Sequence, residues 1–144
     1  MKIIALVSLI ALFALSALFL KSCGGKWDEE NANWSRSFNG QTPPPDVRIV
    51  HSRYYRSPHF TYEAYYYFQI TTSDQFLDSW VKHQKLNLIT PTSLNLGLLY
   101  DKPAWFLPRP IENYEMWKPS DSEYSYFRIF RDRMSKDVFV TDSE

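Results

Sequence analysis

Cysteine is almost missing from this chain: Cys23 is the only one in 144 residues. No intrachain disulfide can form, and a zinc site would have to rest on histidine. Histidine is scarce too. The nearest two of the three, His51 and His59, stand eight residues apart, wider than the close pairs of structural zinc sites. Four glycines leave few tight turns for an oxyanion or phosphate cradle. No serine sits in a Gly-x-Ser-x-Gly elbow. A surplus of one charge is also missing: 16 Lys and Arg face 16 Asp and Glu, and without residues 1–22 the count becomes 14 against 16. A nucleic-acid binder needs a basic excess to neutralise phosphates, so that class is set aside. Glu63, Glu112 and Glu115 could form an acid–base pair, but solvating surface charge accounts for them. The sequence therefore points to no catalytic residue, no metal and no cofactor.

What the chain does have is aromatic rings. Five Trp, ten Tyr and ten Phe make up 17% of it. Tyr and Trp join a large apolar body to a polar tip, which suits both a small core and a contact surface.

It also has one long apolar run. Ile3 to Leu20 carries no charge, with Lys2 before it and Lys21-Ser22-Cys23-Gly24-Gly25 after it. A positive start, an apolar stretch and a small-residue exit are the parts of an export signal. Eighteen residues at about 1.5 Å rise also give roughly 27 Å, enough to cross a bilayer as a helix. Leu20-Lys21-Ser22-Cys23 resembles the bacterial lipobox, although Lys21 stands where that pattern has a small or apolar residue. The resemblance implies cleavage before Cys23, lipidation of Cys23, and passage to the cell membrane or outer membrane, with the domain facing the periplasm or exterior. An uncleaved signal anchor or simple secretion are the other readings of residues 1–22.

Residues 23–45 are rich in Gly, Asn, Ser and charge and end in three prolines, Pro43 to Pro45. Such composition buries little apolar surface, and proline stiffens an extended chain. The expectation is a flexible tether of 23–45, with Trp27 and Trp34 anchoring at the interface, docking partly on the domain or binding a partner. Asn33-Trp34-Ser35 also has the spacing of a glycosylation acceptor.

The remaining residues, 46–144, read as a small α+β domain. Val47–Arg56 and Thr61–Thr71 are predicted strands. The second alternates strictly: Tyr62, Ala64, Tyr66, Phe68 and Ile70 share one face, and Glu63, Tyr65, Tyr67, Gln69 and Thr71 the other. That pattern predicts one covered and one wet face. Thr72 or Ser73 can cap one helix whose apolar stripe is Phe76, Leu77, Trp80 and Val81. Leu94, Leu96, Leu98 and Leu99 read as a short strand or apolar loop. Pro103–Pro108 reads as a turn whose aromatics plug the core. Tyr124–Arg131 and Val138–Thr141 read as a closing hairpin. The expected fold is a small, mostly antiparallel sheet with one packed helix. The Trp-Phe-Leu-Pro segment before a terminal aromatic hairpin resembles small exported domains of unknown function.

If the first two strands pair, Arg53, Tyr55, Glu63, Tyr65 and Tyr67 cluster outward. Tyr and Arg are enriched at protein-binding hot spots, and exposed rings also stack on sugars. The competing expectation is that Tyr65 and Tyr67 are covered by the proline-rich segment or the tether. Three functions follow in order: a non-enzymatic, membrane-tethered module binding an envelope protein; a carbohydrate- or peptidoglycan-binding accessory domain; a small hydrolase. A flat apolar patch favours the first, an aromatic groove with an acidic floor the second, a cleft joining histidine to carboxylate the third.

Overall fold

The computed structural model describes residues 24–58, 63–93, 96, 99–120 and 126–143. The predicted membrane segment, Cys23, Tyr62, Leu94, Leu98 and Tyr124 lie outside them. Among the described residues no helix is long and apolar enough to cross a membrane.

Seven antiparallel strands of the described residues form one sheet: β1 (Gly25–Trp27), β2 (Arg48–Arg56), β3 (Ala64–Thr71), β4 (Leu86–Ile89), β5 (Tyr114–Pro119), β6 (Arg128–Asp132) and β7 (Val138–Ser143). Their order is β1-β2-β3-β7-β6-β5-β4. Two meanders, β1 to β3 and β4 to β7, meet where β3 pairs with β7. Among the described residues two α-helices accompany them, α1 (Glu30–Ser37) and α2 (Asp74–His83). The class is α+β as expected, with a second helix that was not.

Both faces of the sheet are covered. On one, Trp34, Phe68, Ile70, Leu77, Ile129, Val138 and Val140 form a core with Phe38, Phe76 and Trp80 packed against it. On the other, Tyr67, Phe106, Tyr114, Met116, Phe130 and Phe139 form a second core under the proline-rich segment. The expected wet face of β3 is therefore corrected. Tyr67 is only 1% exposed, and Phe106 meets its ring edge-on at 4.9 Å. Phe106 plugs this core as its turn predicted. A β-bulge between Ile49 and His51 adds twist and reassigns which β2 side chains face which core.

The capped helix forms where its signals place it. Ser73 Oγ accepts the Phe76 N–H at 3.1 Å, and Leu77 is buried. The helix carries the chain from β3 to β4 at the far edge of the sheet.

The tether is the larger correction. β1 pairs with β2, Gly25 opposite Arg56, and α1 packs on the same sheet. Its one large apolar residue, Trp34, is 3% exposed and sits against Phe38, Phe68 and Trp80 at ring distances of 4.4, 5.3 and 6.2 Å. Of the expected readings of Trp34, docking on the domain is the one observed, and it is complete. Asn33 completes the latch. Its Nδ2 donates to Trp27 O at 2.7 Å and Ser52 Oγ at 2.9 Å, and its Oδ1 accepts from Arg36 at 2.8 Å. Fully buried and bonded on both ends, Asn33 is closed to glycosylation in the folded chain.

Candidate functional site

The β2–β3 pairing sets Tyr55 directly opposite Tyr65 and Arg53 opposite Tyr67. Side chains directly opposite on antiparallel strands lie about 5 Å apart at Cβ and interact. The Tyr55 and Tyr65 rings are 6.1 Å apart. A third ring arrives from the segment after β4. Tyr100 stacks on Tyr65 at 5.5 Å and 29° and lies 5.4 Å from Tyr55.

Buried Tyr67 fixes that third ring. Its hydroxyl donates to the Tyr100 carbonyl at 2.6 Å. Lys26 of β1 pairs with Asp101, and Lys102 Nζ donates to Phe106 O at 2.7 Å. This strap is thus tied to strand and core at Tyr100 and just after it. Asp101 and Leu107 adopt positive φ of 50° and 46°, which non-glycine residues accept only where their surroundings hold them.

Beside the three rings lies a cleft of about 230 Å³ lined by Tyr55, Ser57, Glu63, Tyr65 and Tyr100. Ser57 directly follows β2 and Glu63 directly precedes β3. The Ser57 N–H donates to Glu63 O at 2.8 Å, and the Glu63 N–H donates back to Ser57 Oγ at 3.4 Å. Tyr100 is 54% exposed, Glu63 is exposed, and Tyr55 and Tyr65 are half-buried.

Burial raises the Tyr65 phenol above its ordinary value, and the charge of Glu63 adds to it. Burial and then the neighbouring Tyr100 hydroxyl raise Tyr55. Both stay neutral well above physiological pH and offer hydroxyls that donate as well as accept. Hydrogen bonding to Lys26 lowers Asp101, so the strap keeps its negative end.

The five predicted face residues thus divide. Tyr55, Glu63 and Tyr65 line one cleft. Tyr67 lies beneath it and bears the strap. Arg53 is drawn aside by Asp28 at 2.9 Å, and that bond raises its guanidinium pKa. Sequence reasoning missed Tyr100 and Ser57. Tyr100 stands 35 residues from Tyr65, and only the strap brings them together.

Histidine takes no part among the described residues. The His51 ring lies tilted against Trp105 at 5.4 Å, His83 ends α2, and His59 lies outside the described residues. Among the described residues no group of three or more His, Cys, Asp or Glu could hold a metal ion.

No family model, curated protein or solved structure matches this chain. The cleft is therefore read from its own chemistry. Phenol ring faces carry negative potential. Hydroxyls and a carboxylate beside them can accept and donate to a polyhydroxylated ring. Ligand pockets for drug-sized molecules run roughly 300–1,000 Å³, so a cleft of about 230 Å³ suits one ring-sized group.

Proposed function

We propose that this protein is a non-enzymatic binding module whose tyrosine cleft receives a single sugar ring. The observation that carries the reading is the grouping of Tyr55, Tyr65 and Tyr100 around Glu63 and Ser57 in one recess. The sugar's weakly positive C–H face lies against phenol rings, and its hydroxyls meet the Glu63 carboxylate and the tyrosine and serine hydroxyls. The apolar run of residues 3–20 directs the module to a membrane, and Cys23 is the lipidation site. The domain then works on the periplasmic or outer side.

A protein partner remains the second reading, because tyrosine and arginine are the residues of protein hot spots. Concavity and the acidic wall favour the sugar, since a protein contact of this size draws on a flatter apolar patch.

Titration of the chain with a series of methyl glycosides, followed by amide chemical shifts, tests the proposal. Shifts should concentrate at Tyr55, Ser57, Glu63, Tyr65 and Tyr100. Tyr100→Ala removes stacking of about 0.5–1.5 kcal/mol and should weaken binding about two- to twelvefold. Glu63→Gln removes a charged hydrogen bond of about 1.5–3 kcal/mol, a loss of about tenfold or more. No shift with any glycoside would end the sugar reading. Capture of an envelope protein by the wild type but not by Tyr100→Ala would replace it with the second.

A further inference from the structure

The folding of residues 24–45 into the domain alters where the cleft sits. Between Cys23, the proposed lipidation site, and β1, which starts at Gly25, there is one residue, Gly24. The two backbone steps span at most roughly 7 Å. There is no further slack on the domain side. Gly24 has φ +125°, and a Cβ there would fall 2.8 Å from Pro58 N and 2.9 Å from Arg56 O. The chain therefore enters against the end of β2.

The cleft lies at that same end. Lys26, the residue after Gly25, pairs with Tyr55, and Tyr55 pairs with Tyr65 on the next strand. At roughly 4.8 Å between strands, the entry point and the cleft are roughly 10 Å apart. The opposite end of the sheet, with the turn before β7, lies beyond six residues of that strand, roughly 20 Å further. Trp27, Lys26 and Arg56 surround the entry, and Trp, Tyr, Lys and Arg are the residues that settle at a membrane–water interface.

We infer that the tyrosine end of the sheet faces the lipid surface and that the cleft takes a sugar carried on that surface: the headgroup of a glycolipid. The inference rests on the sugar-binding reading above and on membrane attachment through lipidated Cys23. A cleft held within a few tens of ångströms of the hydrocarbon meets headgroup sugars at high local concentration. A sugar in a distant polymer would need the long spacer that this fold does not contain between residue 24 and the sheet.

Two measurements on the full chain in lipid vesicles test this. In the first, the vesicles carry a gadolinium-chelating headgroup lipid. Amides of Lys26, Arg56 and Tyr65 should relax strongly, and those of Met134 to Lys136 weakly. Equal or reversed enhancement overturns the orientation, as does a chain that does not stay on vesicles. In the second, glucosyl, galactosyl and N-acetylglucosaminyl headgroups are offered as glycolipids in the vesicle and as free methyl glycosides. At least one should bind about tenfold or more tightly on the vesicle, because attachment makes the encounter intramolecular. Free glycosides binding as well as their lipid forms overturn this inference and leave the sugar reading standing. Binding of neither form overturns both.

Discussion

Replacing Trp34 with alanine asks whether residues 24–45 belong to the fold. Trp34 is 3% exposed and its ring meets Phe38, Phe68 and Trp80. An aromatic side chain buries about 150–250 Å², and at about 25 cal/mol per Å² that is worth about 4–6 kcal/mol. Measured Phe and Trp to Ala changes in cores cost about 3–5 kcal/mol. The two routes agree, so the expected loss is about 3–5 kcal/mol, a large part of the 5–15 kcal/mol typical of a domain. Urea unfolding followed by intrinsic fluorescence is the assay. With a slope of about 1–3 kcal/mol per molar urea, the midpoint should fall by at least about 1 M. An unchanged midpoint would mean that α1 is an ornament on a domain that begins at residue 46, and the reasoning behind a spacerless module would fail.

Three further outcomes are expected. Asn33→Ala strands the buried Ser52 hydroxyl and Trp27 carbonyl and should cost about 1–3 kcal/mol in the same urea assay; a loss near zero would refute the latch. Burial raises the pKa of Tyr67 and Tyr114 above 10, so the folded state holds their protons more tightly than the unfolded one. Their contribution is complete below pH about 10 and is lost as pH rises further, by up to about 1.4 kcal/mol per pH unit for Tyr67; stability against urea that is flat from pH 9 to 12 would contradict this. Cys23→Ala should release the protein from membranes, while the intact mass of the wild type shows loss of residues 1–22 and gain of acyl chains; undiminished retention of the variant would point to an uncleaved helix.

Periodicity made the centre of the fold legible. Strict alternation marked β3, and Ser73 with the Phe76, Leu77, Trp80 stripe marked α2. Alternation alone says that the two faces of β3 differ, not that one is wet. Tyr67 is as buried as Phe68, because a phenol can be buried when its hydroxyl finds a partner, here the Tyr100 carbonyl. α1 escaped notice because one apolar residue, Trp34, carries its packing while Asn33 makes its polar contacts. Apart from Ala32 the rest of that helix is polar, so no helical stripe shows. β4 and β5 escaped for another reason. Their strands lie among prolines that read as loop, although Pro119 merely ends β5 at its pairing with Leu86.

The candidate site was half legible. Tyr55, Glu63 and Tyr65 follow from a single hairpin, so pairing two strands finds them. Tyr100 depends on a strap held by Tyr67 and Lys26, on two strands distant in sequence. Arg53 was misjudged because its partner, Asp28, lay in the supposed tether.

The most direct test of the central claim is saturation transfer from protein to sugar. Tyrosine ring protons of the chain are irradiated in the presence of the methyl glycoside that binds best. Transfer should reach the C–H protons of one sugar face and be sharply reduced in Tyr100→Ala. Bound glycoside whose transfer is unchanged in that variant, or no transfer to any glycoside, would contradict it.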